Sequence, residues 1–273
     1  MSKIIVKDFN LDHTLLCGQL FRVVKNKDWY YVTVRDRIFS VRQTSRHLEF
    51  HGVDKDFLEH YFALDEPYSA ILTHIEKDTH IGNAIKRYHG MRIVRQDPWE
   101  CLISFICSSA ANIPKIQLNL TCLSQFFGKK ISLNGFGGYS FPNPGDLHDL
   151  EKIFQAKTGF RARYIKAAND LVTESFLTSL KKIPYPEAKQ MLKQIPGVGD
   201  KVADCVLLFS LGFTEAFPLD TWIRKIIQKL YFKDKAMPER KLRDFGLEYF
   251  GRYAGYAQQF LYMLARASVS DKK

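Results

Sequence analysis

The sequence predicts an α+β fold: an N-terminal antiparallel β-sheet followed by a larger, mainly α-helical body. Three observations carry this. The first fifty or so residues hold short β-branched and aromatic runs with period-two alternation. From about Asp54 the apolar residues fall three to five apart, as one face of a helix requires. Helical spacing then persists to the C-terminus, interrupted by stretches rich in Gly, Pro and Asn.

The elements follow in chain order. Ile4-Ile5-Val6 is a short β-branched strand. Asp28-Trp29-Tyr30-Tyr31-Val32-Thr33-Val34 and Ile38-Phe39-Ser40-Val41 are strands joined by Arg35-Asp36-Arg37, and His47-Leu48-Glu49-Phe50 alternates, completing an antiparallel meander. Phe57, Tyr61 and Phe62 share a helical face, and Ile71, Ile75 and Ile81 continue the pattern. Asp97-Pro98-Trp99-Glu100 is a helix start, with Asp97 at the N-cap, Pro98 in the first position and Glu100 completing a capping-box-like pattern. The apolar run Leu102 to Cys107 makes that helix a buried one. Leu133 to Gly138 and Pro142 to Gly145 read as a long loop. The layout predicts an N-terminal β-rich domain over 1–90 and a helical domain over 91–273.

Composition narrows the function. At 273 residues and 46% hydrophobic, the chain can bury a core, which excludes disorder. Forty Lys+Arg against twenty-nine Asp+Glu gives a net charge of +11. A folded, basic chain points to a polyanionic partner, most simply nucleic acid. The cysteines, Cys17, Cys101, Cys107, Cys122 and Cys205, are odd in number and form no CxxC pair, so neither a disulfide framework nor a zinc site is expected. Met1 to Asn10 has no long apolar core, and no run of about eighteen apolar residues occurs. The sequence is therefore expected to lack a signal peptide and to avoid membranes. An intracellular monomer follows, cytoplasmic and at the nucleoid if the source is prokaryotic, as a compact chain without basic tails suggests.

The most informative segment is Leu192-Lys193-Gln194-Ile195-Pro196-Gly197-Val198-Gly199-Asp200-Lys201-Val202-Ala203. One helix ends, a Pro-Gly-Val-Gly turn follows and an apolar helix begins, which predicts a helix-hairpin-helix over about 188–212. Gly197, Val198 and Gly199 would offer backbone N–H groups to a phosphate at a helix N-terminus. A plain helical turn is the alternative. Lys201 lies in the first turn of the second helix and Asp220 lies nineteen residues on. That helix is about 16 Å long, and the connection from Phe213 to Leu219 can span about 23 Å. Asp220 can thus return beside Lys201 and cap the next helix. A lysine at the positive end of a helix dipole is destabilised as a cation, which suits a nucleophilic amine. Spacing alone leaves it equally able to be a phosphate contact.

With these residues in place, the sequence resembles the 8-oxoguanine DNA glycosylases of the helix-hairpin-helix superfamily. The resemblance rests on Cys17-Gly18-Gln19-Leu20-Phe21-Arg22, Arg95 to Glu100 through Cys107-Ser108-Ser109, Gly159-Phe160-Arg161-Ala162-Arg163-Tyr164, Pro196 to Cys205, and Tyr253 to Gln258. It implies a twisted, TBP-like N-terminal sheet and a helical domain whose cleft holds the site. It implies that the enzyme flips 8-oxoguanine out of double-stranded DNA and cuts its glycosidic bond. Lys201 matches the nucleophile that forms a Schiff base with the sugar, and β-elimination then nicks the strand. Asp220 matches the aspartate that stabilises charge on the sugar. Gly18 matches the glycine whose carbonyl accepts the N7–H of 8-oxoguanine; guanine presents a lone pair there and is rejected. Gln258 matches the reader of the Watson–Crick edge, and Cys205 and Tyr262 match the groups on either face of the base. Phe160 matches an aromatic wedge and Arg161 a reader of the opposite cytosine.

Departures from the family pattern also matter. Ala110 stands where an asparagine fills the gap left by the flipped base, and Lys115 where an arginine reads the cytosine. Lysine lacks the planar fork for bidentate reading, so preference for cytosine opposite the lesion is expected to be relaxed. Trp222 stands where a histidine contacts phosphate. With an amine as nucleophile no metal or other cofactor is expected, a monovalent cation at the hairpin being the one option. A related glycosylase with a four-cysteine cluster is disfavoured because no cysteine follows Cys205. A non-catalytic DNA-binding module is disfavoured because Lys201 and Asp220 are both present.

Overall fold

The computed structural model describes residues 1–270, with side chains through 267, so the last three residues of the predicted helical domain lie outside the described residues. Strands β1 (Ser2–Ile5), β2 (Val23–Asn26), β3 (Trp29–Val34), β4 (Arg37–Thr44) and β5 (His47–His51) form a five-stranded sheet in the order β1-β5-β4-β3-β2. All pairs are antiparallel, with Val23 opposite Val32, Tyr30 opposite Val41, Val41 opposite Phe50 and Ile4 opposite Leu48. The predicted meander is present. It gains β2 at one edge, where Val24, Lys25 and Asn26 are exposed and only Val23 is partly covered. A polar edge strand shows little alternation, which is why sequence spacing passed over it.

Tyr30, Val32, Phe39, Val41, Leu48 and Phe50 bury one face of the sheet. They pack on α1 (Leu11–Leu15) and α2 (Lys55–Tyr61) through Leu11, Leu15, Leu58 and Tyr61. Helices α3 (Tyr68–Ile75) and α4 (Thr79–Arg87) instead send Ile71, Ile75, Ile81 and Ala84 into the larger core of the helical body. The two apolar cores interleave along the chain: Cys17, Phe21 and residues from Tyr68 onward join the larger one, while Val94 packs in the sheet's. Helical spacing alone cannot say which core a helix joins.

Helix α5 (Pro98–Cys107) runs through this body with every residue from Trp99 to Cys107 buried. Asp97 caps it as predicted, accepting from the Glu100 N–H at 2.8 Å. Glu100 does not turn back to complete a capping box. It accepts from Arg22 at 3.2 Å and from the Arg35 N–H at 2.8 Å, tying α5 to the sheet. Helix α6 (Ile113–Phe127) follows, then β6 (Lys130–Leu133) and β7 (Phe136–Tyr139), which form a separate hairpin. The loop expected here is thus a hairpin in its first half. Asn134 and Gly135 both take positive φ, 48° and 81°, the turn that Asn-Gly favours.

The remaining helices are α7 (Leu150–Ile153), which runs into a π-turn at Phe154–Thr158, α8 (Arg161–Leu171), α9 (Glu174–Leu180), α10 (Tyr185–Lys193), α11 (Asp200–Val206), α12 (Thr221–Tyr231), α13 (Glu239–Phe250) and α14 (Ala254–Ser270). Helix α11 continues into a π-turn, Leu207–Leu211, and stops at Gly212, whose φ of 83° is left-handed.

Candidate active site

A short turn over residues 194–199 joins α10 to α11. Gly197 has φ +85°, and a Cβ there would lie 2.4 Å from Cγ of Tyr164. This glycine is demanded first by a tyrosine ring of α8, not by a ligand. Gly199 differs: its φ of −93° is ordinary, and nothing lies within 4 Å of where its Cβ would be. Val198 is buried and its N–H donates to Ile195 O at 3.0 Å, so that predicted phosphate donor is already committed inside the turn. The N–H groups of Gly197 and Gly199 have no acceptor among the described residues.

Helix α11 is held from beneath by charge. The Asp204 carboxylate is fully buried and accepts from Tyr185 Oη at 2.8 Å and Lys189 Nζ at 2.9 Å. Burial pushes this carboxyl up, and Lys189 and Tyr185 oppose the shift. Asp200, in the first turn, pairs with Lys193 at 3.0 Å.

From this anchored helix Lys201 and Cys205 enter a cavity of about 440 Å³ that Gly18, Ala110, Asp220, Trp222, Gln258 and Tyr262 also line. Lys201 Nζ donates to Ser108 Oγ at 2.9 Å and stands 4.8 Å from the Phe105 ring centroid. The Ser108 hydroxyl donates to Phe105 O at 2.6 Å, so it can only accept from the lysine. Asp220 caps α12, its Oδ1 accepting from the N–H of Trp222 at 2.9 Å and of Ile223 at 2.8 Å. Burial raises its carboxyl above the ordinary value, against those N–H groups and the Lys201 charge. The predicted return of Asp220 to the lysine's cavity and its capping role are both present.

The walls of the cavity mix apolar and polar groups. Burial pushes the Cys205 thiol up to about 12, so it stays protonated and packs as a small apolar group. Gly18 has φ +82°, and its Cβ position is 3.1 Å from Tyr262 Oη. Gln259 Nε2 donates to Cys17 O at 2.7 Å and fixes that loop. Gln258 Oε1 is buried with no hydrogen-bond partner among the described residues. A buried carbonyl left unpaired costs about 1–3 kcal/mol, and its place in the cavity wall marks where a ligand donor belongs.

Of the remaining predicted residues, only Ala110 lines this cavity; Lys115, Phe160 and Arg161 do not. Ala110 is exposed with φ 49°, a conformation that asparagine tolerates better than alanine. Lys115 sits in the first turn of α6, its N–H donating to Asn112 Oδ1 at 3.0 Å. Phe160 is 58% exposed, as a wedge must be. Arg161 is buried, and its guanidinium donates to backbone carbonyls of Thr158, Ser109 and Ala110. Ser108, Phe105 and Gln259 were not singled out from sequence. Ser108 lies inside the Cys-Ser-Ser motif, but its lysine contact spans 93 residues and has no local signal. A larger groove, about 860 Å³, lies between β2 and the β6–β7 hairpin and contains neither Lys201 nor Asp220.

An amine and a carboxyl meeting in a base-sized cavity beside an open helix–turn–helix is how the helix-hairpin-helix DNA glycosylases are built, and known proteins agree. Residues 3–102 match the profile of the 8-oxoguanine DNA glycosylase N-terminal domain. The solved structure of Clostridium acetobutylicum 8-oxoguanine glycosylase/lyase, in complex with double-stranded DNA containing cytosine opposite 8-oxoguanine, is 31% identical with a TM-score of 0.92, covering 98% of this chain and 99% of that one. The structure of MBOgg1 with a low-affinity DNA ligand is 36% identical with a TM-score of 0.93, covering 98% and 97%. A probable N-glycosylase/DNA lyase of Methanothermobacter thermautotrophicus is 28% identical over 241 residues, which are 78% of this chain and 75% of that protein. The chain belongs to the 8-oxoguanine DNA glycosylase family of that superfamily.

Proposed function

We propose that this protein excises 8-oxoguanine from double-stranded DNA and then nicks the strand through a lysine Schiff base. The observation that carries this is the cavity shared by Lys201, the half-buried Asp220 carboxyl and the Gln258 carbonyl, which has no partner among the described residues. The relatives' names as N-glycosylase/DNA lyases support both activities.

The chemistry follows from the residues. The flipped base enters between Cys205 and Tyr262, with the Gly18 carbonyl accepting its N7–H and Gln258 reading its edge. Flipping costs a few kcal/mol. Lys201, as the neutral amine, attacks C1′. A C1′–N bond forms as the bond to the base breaks, and the departing base takes the electron pair and the proton that the attacking amine gives up. Opening of the sugar ring leaves an imine on Lys201, and loss of a C2′ proton expels the 3′-phosphate. Asp220, held rigidly by its two N–H contacts, lies where negative charge offsets the cationic sugar. Outside the cavity, the N–H groups of Gly197 and Gly199 are offered to a backbone phosphate, with or without a monovalent cation, and Phe160 fills the place of the wedge.

Lys115 and Ala110, in place of an arginine and an asparagine, support a relaxed preference for cytosine opposite the lesion. The test is a duplex carrying one 8-oxoguanine opposite C, A, G or T. Release of free 8-oxoguanine and a 3′ nick on all four is expected. Failure to release it from any of them would overturn the reading, and a cytosine preference of several orders of magnitude would overturn its opposite-base part.

A further inference from the structure

We infer that Arg224 is a phosphate clamp at the opening of the Lys201 cavity, and that Glu239 is its internal competitor, holding the guanidinium until DNA displaces it. The ligand is a backbone phosphate flanking the flipped nucleotide. The inference rests on the function proposed above and adds a contact that neither the α10–α11 turn nor the base pocket supplies.

Four charged side chains line the cavity: Lys201, Asp220, Arg224 and Glu239. The chemistry above uses only the first two. Arg224 stands one turn beyond Asp220 on α12, its N–H donating to Asp220 O at 2.9 Å. Glu239 opens α13. Their side chains are 42% and 63% exposed, which places them at the cavity's opening and not on its floor. A nucleotide whose C1′ meets Lys201 must leave its flanking phosphates at that opening, because taking a phosphate's charge into the cavity is costly.

The pair has the geometry of one that can be exchanged. Arg224 Nη1 lies 3.5 Å from Glu239 Oε1, longer than a charge-assisted hydrogen bond of about 2.7–2.9 Å. An ion pair this long and this open contributes little to the fold. The guanidinium carries a planar fork that fits two oxygens of one phosphate. Glu239 lies in the first turn of α13, where the positive end of the helix dipole favours a carboxylate, so it can keep its charge once Arg224 turns to the DNA. The carboxylate and the phosphate thus compete for one guanidinium, and removing the carboxylate should tighten binding.

The experiment is equilibrium binding, over a series of salt concentrations, to a duplex with an uncleavable lesion analogue and to the same duplex undamaged. It compares wild type with Arg224→Gln, Arg224→Lys and Glu239→Gln, with thermal melts to check that each variant folds. On the lesion duplex Arg224→Gln should bind about tenfold more weakly, and the slope of log affinity against log salt should shrink by about one. Arg224→Lys keeps the charge, so it should keep the slope and lose only part of the affinity. Glu239→Gln should bind the lesion duplex about two- to fivefold more tightly. All three should bind the undamaged duplex as wild type does, because no nucleotide is seated on Lys201. Unchanged affinity and slope in Arg224→Gln, or an equal loss on both duplexes, would overturn the clamp. Weaker or unchanged binding by Glu239→Gln, or an equal gain on both duplexes, would overturn the competition. Should Arg224→Gln fail to fold, the Arg224→Lys and Glu239→Gln results decide by the same criteria. Wild type with no preference for the lesion duplex would overturn the proposed function itself.

Discussion

Two glycines of the α10–α11 turn should respond oppositely to the same methyl group. In Gly197→Ala the new Cβ takes φ +85° and meets Tyr164 ring carbons at 2.4–2.8 Å. The left-handed conformation costs about 1–2 kcal/mol, and forcing the ring aside costs typically 1–3 kcal/mol more. A total of about 2–5 kcal/mol corresponds to a fall in Tm of roughly 4–10 °C for a chain of this size, at about 2 °C per kcal/mol. In Gly199→Ala the backbone is already permitted and the space is open. The stiffer unfolded chain contributes about 0.4–1 kcal/mol, and a poorer N-cap takes back a similar amount. Stability should stay within about 0.5 kcal/mol of wild type. The methyl would nevertheless stand over the N–H groups proposed to meet a phosphate. Thermal melts and equilibrium binding to a duplex with an uncleavable lesion analogue separate the two effects. Gly199→Ala should melt like wild type and bind about tenfold more weakly, a change of about 1.4 kcal/mol. If it binds as wild type does, or if Gly197→Ala keeps its Tm, the reasoning about this turn is wrong.

Other outcomes follow from the site. Gln258→Met removes the buried unpaired carbonyl and should stabilise the DNA-free protein by about 1–3 kcal/mol while slowing excision, as denaturant melts and single-turnover kinetics would reveal; a destabilised variant would contradict the reading of that carbonyl. Asp220→Asn keeps a side-chain oxygen for the Trp222 and Ile223 N–H groups, so Tm should hold while excision falls about 10²–10³-fold; a matching loss of stability would make its role structural. Burial pushes the Asp97 carboxyl up to about 6 from an ordinary 3.8, against the Glu100 N–H and Arg35. The folded chain then holds that proton more tightly than the unfolded one. Its contribution to stability is full below pH 3.8 and is lost as pH rises through about 6. Asp97→Asn keeps the cap without titrating, so it should gain on wild type by about 2–3 kcal/mol between pH 4 and pH 7.5; parallel pH profiles would refute this.

Much of the site was legible because its chemistry is local. Asp97 with Pro98, Asp220 before Trp222, and the Pro-Gly-Val-Gly turn each act within three or four residues, and each forms the element its sequence predicts. The Asn134-Gly135 hairpin carried an equally local signal, but the surrounding glycines and prolines read more simply as a loop. What was not legible is set by distant partners. Arg161 binds carbonyls 51 and 52 residues away, so its burial has no sequence signature. Gly197 looked like room for a ligand and proves to be room for Tyr164. Helices α3 and α4 show sound amphipathic spacing, yet only the packed structure reveals that they join the helical body's core and not the sheet's.

The most direct test of the account is borohydride trapping on a duplex with one 8-oxoguanine, comparing wild type with Lys201→Gln. The account predicts a covalent protein–DNA adduct with wild type and none with the variant. Base release by wild type without any adduct would contradict it, because water would then attack the sugar and Lys201, despite its place in the cavity beside Asp220, would only bind.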